Sequence, residues 1–389
     1  MKKILFFIII VAFLAVLSLP LLQMKFDFVK EQQLVGVFSS TEQPMWTKDN
    51  WFAGNFQATS TSWFEDNFGF RSYLVKTDNQ INWTVFNEIS SKTNTRLIRG
   101  LDNYLYEYAY IDEYSRRPEK KITDLEWEVQ MLKRFQDELK KRGIEFLFVI
   151  SPSKAALYPE YIPASYIFGD RQSLSRSYDI VVDYLDTYGV QYIDGHTIVR
   201  NIKDQTDYEV FTKGGTHWNY YAACKVNEQI IGKLEILFGK KMNHVVCDPP
   251  IVDTDAYGMD EDLIGLTNIW TDEDVVGSVP HPPLDIQEPN NTFIPNMLFV
   301  GDSFSHPLLQ VMDNRVYRYR ELLYYFKRRI TFDNGVYSET TDDILNWERN
   351  IGDKDIVILE NNESYMHDIG FGFVEYALTI LESGMYDDT

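Results

Sequence analysis

Met297-Leu298-Phe299-Val300-Gly301-Asp302-Ser303-Phe304-Ser305 is a short apolar run that ends on a glycine and delivers a serine. An unbroken apolar run of this length reads as a strand buried on both faces, the pattern of a parallel sheet covered by helices. Gly301 permits a tight bend, and a helix can follow around Pro307. Ser303 then lies on a strand-to-helix turn, with its hydroxyl toward a cleft and turn amides free to face an oxyanion. The backbone amides of Ser303 and Phe304 are the expected donors. Asp302 is adjacent to the serine and is expected to brace the turn rather than orient a base.

Further strands are read at residues 146–150, a short continuous apolar run, and at 190–194 and 355–359. Helices are read at 122–142, ending at Gly143, at 173–188, ending near Gly189, at 219–237 and at 341–350. Apolar strands alternating with helices predict an α/β fold with a central parallel sheet and helices on both faces, its site beyond the carboxyl ends of the strands. Three stretches frame this domain, assigned to 121–389. Residues 1–24 read as a membrane segment. Residues 25–120 read as an aromatic-rich helical leader packed on the main domain, with an amphipathic helix over 73–89. Residues 243–296 interrupt the alternation with Pro249-Pro250, many acidic residues and Pro280-His281-Pro282-Pro283. A loop of that length is functional or mobile. It is read as partly ordered over the site, the alternative being a solvated insertion.

Lys2 and Lys3 precede an apolar run from residue 4 to 22, broken only by Ser18 and Pro20. That pattern fits a signal or a signal anchor about long enough to cross a bilayer. No small-x-small cleavage site follows, so an uncleaved single-pass anchor is expected, with the lysines inside and the rest outside the cytoplasm. The formal net charge of -21 argues against nucleic acid and anionic lipid surfaces as non-specific partners. Cys224 and Cys247 lie in the exported part, where a disulfide or two buried thiols are both open readings. No metal-binding Cys/His cluster stands in the sequence, and no cofactor is expected.

A serine is a poor nucleophile until a base takes its proton. Among the six histidines, His217 stands in Phe211-Thr212-Lys213-Gly214-Gly215-Thr216-His217-Trp218-Asn219, a glycine-rich loop entering a helix. It is the preferred base. His196, after the strand ending at Asp194, is the second candidate.

The Gly-Thr-His-Trp-Asn segment upstream of Gly-Asp-Ser-Phe-Ser resembles the alginate O-acetyltransferase family of SGNH-hydrolase-like proteins. Ser151-Pro152-Ser153-Lys154 and the following Tyr158-Pro159-Glu160-Tyr161-Ile162-Pro163, Phe68-Gly69-Phe70-Arg71, and Gly100-Leu101-Asp102-Asn103-Tyr104-Leu105 are similar to other family segments in the same order. The resemblance implies a three-layer SGNH-like fold, Ser303 as nucleophile and His217 as general base, and an extracytoplasmic O-acetyltransferase working through an acyl-serine on an exported polysaccharide. It also implies a polytopic membrane acyltransferase as the source of acetyl groups. In this family an Asp usually stands two residues before the histidine. Gly215 occupies that position here, so another group must orient the imidazole. Asp194 is the chosen third member, with Glu360 as its alternative. Lys154, Trp218 and Asn361 are the candidate substrate-binding residues. A carbohydrate deacetylase with the same Ser and His, and a non-catalytic polysaccharide-binding protein on the same fold, are the rival readings.

Overall fold

A computed structural model describes residues 2–36, 41–90, 97–115, 122–167, 175–271, 275–333, 336–340 and 351–383. They form two compact units, Met1–Thr95 with Ile264–Asp272, and Arg96–Leu263 with Glu273–Thr389. The expected helix over 341–350 lies outside the described residues.

The first unit begins with α1 (Lys2–Phe26), whose apolar residues are exposed along its length. Helices α2 (Lys48–Phe52), α3 (Asn55–Asn67) and α4 (Arg71–Ile81) follow. The helix expected over 73–89 thus starts two residues earlier and gives way to a π turn at Asn82–Phe86, which stops where Asn87 turns left-handed.

The second unit takes in residues 96–115, which the sequence reading placed in the leader. A hairpin, Leu97–Arg99 with Leu105–Glu107, leads into α5 (Tyr108–Ser115). Then come α6 (Ile122–Lys141), β1 (Glu145–Ser151), α7 (Lys154–Leu157), α8 (Ser177–Tyr188), β2 (Tyr192–Asp194), α9 (Gly195–Gln205) and α10 (Tyr220–Phe238). After α11 (Asp262–Thr267) the chain returns to the sheet with β3 (Asn296–Gly301), α12 (Ser305–Val311), β4 (Tyr319–Tyr324), β5 (Arg328–Asp333), β6 (Val336–Thr340), β7 (Ile356–Asn362) and α13 (Phe373–Glu382).

The seven strands order as β6-β5-β4-β3-β7-β1-β2. From β4 to β2 all neighbours are parallel, and β5 and β6 extend the β4 edge antiparallel. That extension is absent from the sequence reading, because 328–340 intersperses its apolar residues with charged and hydroxyl ones and lacks an apolar run. The side-chain alternation of each central strand splits the core in two. Leu147, Val149, Met297, Phe299, Ile356 and Ile358 pack with α9, α10 and α12. Phe146, Phe148, Leu298, Val300, Val357 and Leu359 pack with α6, α8 and α13. Burial on both faces is why these strands read as unbroken apolar runs. The result is a three-layer α/β/α unit.

The segment 243–296 is ordered largely by two short antiparallel pairs, His244–Val246 with Asp285–Gln287 and Ile251–Asp253 with Val279–His281. Cys224 on α10 and Cys247 form a disulfide, with Cα atoms 5.8 Å apart, which decides between the two open readings of that pair.

Candidate active site

The serine turn is held from below by two buried carboxyls. β3 ends at Gly301, and Asp302 accepts the Phe304 amide at 2.8 Å and the Asn362 amide at 2.9 Å. Glu360 on β7 accepts the Ser151 hydroxyl at 2.5 Å, the Ser305 hydroxyl at 2.6 Å and the Asp302 amide at 3.2 Å. A Cβ on Gly301 would lie 2.2 Å from Ser305 Oγ and 2.7 Å from Glu360 Oε2, so only glycine fits. Burial pushes both carboxyls up, and Asp302 next to Glu360 pushes the latter further, well above the carboxylate range. The pair is best described as sharing a proton kept on Glu360, since like charges this close cannot both ionise. Asp302 therefore braces the turn. It also engages the Phe304 amide, which sequence reasoning had assigned to the oxyanion. Ser303 itself is partly exposed. Its hydroxyl interacts with the phenol of Tyr325, which burial and the nearby Asp302 keep protonated. Tyr325 reaches it from the β4–β5 turn, where its backbone is left-handed (φ 49°) and its amide donates to Gly301 O at 2.9 Å.

The histidine loop is closed at its base by a bridge between Phe211 and Trp218. Asn219 caps α10 by accepting the Ala222 amide at 2.9 Å, which places His217 just ahead of the helix. Lys154 enters the loop and donates to Lys213 O at 2.7 Å and Gly215 O at 2.8 Å. The indole N–H of Trp218 donates to Phe304 O at 3.0 Å, and the His217 ring lies 4.6 Å from the Phe304 ring. The residue after the histidine is thus tied to the residue after the serine.

The imidazole is oriented by a residue that sequence reasoning missed. Asp262, 45 positions downstream in the acidic run Asp260-Glu261-Asp262, meets His217 Nδ1 at 2.5 Å through Oδ2 and accepts the Thr216 amide at 2.8 Å through Oδ1. A carboxylate only accepts, so Nδ1 carries the proton and Nε2 presents its lone pair. Among the described residues Nε2 is buried without a hydrogen-bond partner, so the link to Ser303 is not made in this geometry. Catalytic contacts of this kind commonly tighten when substrate binds.

Gly215 and Asp262 are two sides of one arrangement. A Cβ at 215 would lie 2.6 Å from Met259 O, 2.9 Å from Thr212 Oγ1 and 3.0 Å from Asp260 O. The 257–263 segment fills that space, fixed by the Leu263 amide on Gly214 O at 3.0 Å and the Thr212 hydroxyl on Asp260 O. The carboxylate comes from the strand of chain that a side chain at 215 would displace. The only sequence signal was indirect: a glycine where the family has Asp, and an acidic run in the long insertion.

The remaining sequence-selected residues do other work. Asp194 caps α9 by accepting the Thr197 amide at 3.0 Å and takes the Tyr178 hydroxyl at 2.9 Å; it has no contact with His217. Glu360 belongs to the serine turn. Lys154 is 3% exposed, and burial depresses its pKa well below the lysine value against the opposing pull of Asp262 and Glu209. Trp218 and Asn361 are fully buried, and Asn361 accepts the Gly370 amide at 2.9 Å. None of these three offers a free side chain to a substrate. His196 is bound on Nε2 by Arg200 at 2.9 Å and faces Glu363 with Nδ1 at 2.8 Å, which removes it as a base for Ser303.

Comparison with known proteins places this geometry. Residues 97–257 match the family model described as the SGNH hydrolase-like domain of acetyltransferase AlgX. That span contains His217 and Lys154 and stops short of Asp262 and Ser303. The chain is 24% identical over 151 residues to the probable alginate O-acetylase AlgJ of Pseudomonas aeruginosa, 39% of this chain and 35% of that protein. The match therefore spans about a third of that relative's length. Among solved structures, the O-acetyltransferase domain of Pseudomonas putida AlgJ superposes with a TM-score of 0.45 at 16% identity, covering 74% of this chain and 99% of that one. Pseudomonas aeruginosa AlgX gives 0.44 at 13%, covering 74% and 70%. Bacillus cereus PatB1 gives 0.42 at 12%, covering 71% and 99%. Through residues 97–257, within a fold of a mainly parallel sheet between two helical layers, the chain is similar to the SGNH hydrolase-like acetyltransferase domain of that family.

Proposed function

We propose that this chain is an O-acyltransferase that acetylates a polysaccharide outside the cytoplasm, with Ser303, His217 and Asp262 as its triad. The observation that carries the reading is the His217 imidazole, held by Asp262 at 2.5 Å with Nε2 uncommitted on a loop tied to the serine turn. Ser303 Oγ attacks the carbonyl carbon of an acyl donor as its proton passes to His217 Nε2. The oxyanion forms beside the Ser303 amide and the Tyr325 phenol. Collapse breaks the bond to the donor's leaving group, which takes the proton from Nε2 and leaves an acyl-serine. A sugar hydroxyl then attacks that ester, again giving its proton to Nε2. The second collapse returns the proton to Ser303 Oγ and releases the acetylated sugar. Asp262 keeps Nδ1 protonated and stabilises the imidazolium in both halves.

An uncleaved α1 would anchor the chain, since its 24-residue apolar span is long enough to cross a bilayer. A polytopic membrane acyltransferase delivering acetyl groups is the partner this arrangement calls for. The binding-only reading drew on the missing carboxylate at 215, and Asp262 takes away that support. Transfer and hydrolysis share every step but the last acceptor. The test is a chromogenic acetyl ester with and without an oligosaccharide acceptor, scoring free acetate and sugar ester separately, together with fluorophosphonate labelling. Wild-type chain is expected to label at Ser303 and to form sugar ester. Ser303→Ala with undiminished turnover would sink the proposal, and acetate release with no sugar ester would move it to a deacetylase.

A further inference from the structure

The first unit holds an aromatic arm that the described residues leave largely exposed. Within α2 and α3 no residue is buried, although the arm and its lead-in carry Trp46, Trp51, Phe52, Phe56, Trp63 and Phe64. Phe52 is 85% exposed, Met45 76%, and Trp46 60%. A water-facing surface of this kind marks a place where something apolar belongs. Each such side chain is worth roughly 1.5–3 kcal/mol when fully covered.

What covers it is indicated by how the arm is fixed. The corner between α3 and α4 sits on the backbone of α1. A Cβ on Gly69 would lie 2.1 Å from Pro20 O and 2.9 Å from Met24 N, so the contact is backbone to backbone. Gln23, 3% exposed, locks the chain leaving α1 by donating to Val29 O at 2.6 Å and accepting the Val29 amide at 3.1 Å. Glu31 then ties that chain to the start of α4, accepting the Ser72 amide at 3.0 Å and hydroxyl at 2.9 Å. The C-terminal end of α3 is therefore held beside the last turns of α1, where a spanning helix would leave the bilayer. Phe26 and Phe28, at the same end, are also exposed.

We propose that α2–α3 lies in the head-group region of the bilayer that α1 crosses, as an interfacial foot held by aromatic side chains. The inference rests on the anchor reading above. Tryptophan and phenylalanine favour this zone because an apolar ring reaches the acyl boundary while the adjoining backbone stays wet. The occupant is lipid rather than an ionic partner. Glu42, Asp49, Glu65 and Asp66 outnumber Lys48 along the arm, so charge does not draw it to an anionic surface. Binding should accordingly be as strong on zwitterionic as on anionic lipid and insensitive to salt.

The test uses the full-length chain reconstituted in phosphatidylcholine vesicles, with a nitroxide attached at Phe52→Cys, and a second label at Ile251→Cys, also exposed but in the other unit, as the aqueous reference. Fluorophosphonate labelling confirms that both variants fold. The label at 52 is expected to show a several-fold higher ratio of oxygen to nickel-chelate collisions than the label at 251, unchanged by phosphatidylglycerol or by salt. Equal ratios in a chain that floats with the vesicles would overturn the foot and leave the anchor standing. A chain that does not float would overturn both. Dipolar coupling between labels at 52 would show that a second copy covers the arm instead of lipid.

Discussion

In the proposed triad, Asp262 supplies the carboxylate that Gly215 cannot. The imidazole needs a carboxylate on Nδ1, and the 257–263 segment supplies it from the place where a side chain at 215 would stand. Asp262→Asn is expected to lower kcat by about 10²–10⁴-fold with little change in KM, because the amide cannot hold the same tautomer. Adding Gly215→Asp to that variant should not restore activity, since Met259 O lies 2.6 Å from the new Cβ. Steady-state kinetics on an acetyl ester checks both, and rescue by the double variant would show that the two positions are interchangeable. Lys154 offers a second residue-scale test. As a buried brace its loss removes the side-chain donor from the Gly215 carbonyl and leaves the Lys213 carbonyl with the Leu105 amide alone. Lys154→Met should cost roughly 2–5 kcal/mol of stability and lower kcat through a loosened His217 loop. A substrate-binding lysine would instead raise KM and leave the melting temperature unchanged.

At the scale of elements, the 257–263 segment brings the carboxylate that the proposed triad relies on, and it carries a charge problem of its own. Asp260 is 1% exposed, and neither carboxyl oxygen has a partner among the described residues. Burial, with Asp262 and Glu261 nearby, raises its pKa to about 7. A carboxyl raised in the folded state favours folding most below its unfolded pKa, near 3.8, and that contribution falls as pH rises toward 7. Asp260→Asn should therefore melt higher than wild type at pH 8 and show no such gain at pH 4. Thermal melts at the two pH values decide this, and an equal shift at both would mean that ionisation of Asp260 is not the cause.

Across the whole molecule, the carboxyl ends of β1, β7 and β2 gather polar groups that hold the sheet edge together. Glu363, just beyond β7, accepts the Ser153 amide at 2.6 Å and the Arg176 guanidinium at 2.7 Å, and faces His196 at 2.8 Å. Burial would raise its pKa, but Arg176 and His196 outweigh it and hold the carboxyl at about 2. A depressed carboxylate stabilises the fold above its unfolded pKa, near 4.5, and the contribution is lost as pH falls toward 2. Glu363→Gln should cost about 3–5 kcal/mol at pH 7, because the largely covered Arg176 loses the carboxylate it is paired with. The gap to wild type should close as pH approaches 2. Denaturant titration at neutral and acid pH measures it, and a constant gap would contradict the assignment.

The sequence by itself determined the central layer of this protein. The runs at 146–150, 297–300 and 356–359 are apolar at every position because both sheet faces are covered, and that property is written locally. Gly301-Asp302-Ser303 and the loop holding His217 were legible for the same reason, each being a turn at the end of an element. The antiparallel strands at 328–340 were not legible, since their pairing at the sheet edge needs no continuous apolar run. Nor was the third member of the site. Whether Asp194, Glu360 or Asp262 meets His217 depends on which chain segment packs against Gly215, and residues 45 positions apart leave no periodicity to read. Lys154, Trp218 and Asn361 likewise have the chemistry of substrate contacts, and only burial decided that they brace the site. Local pattern specifies which residues face a core; which polar groups then meet is set by the approach of distant segments, and that information exists only once the chain has folded.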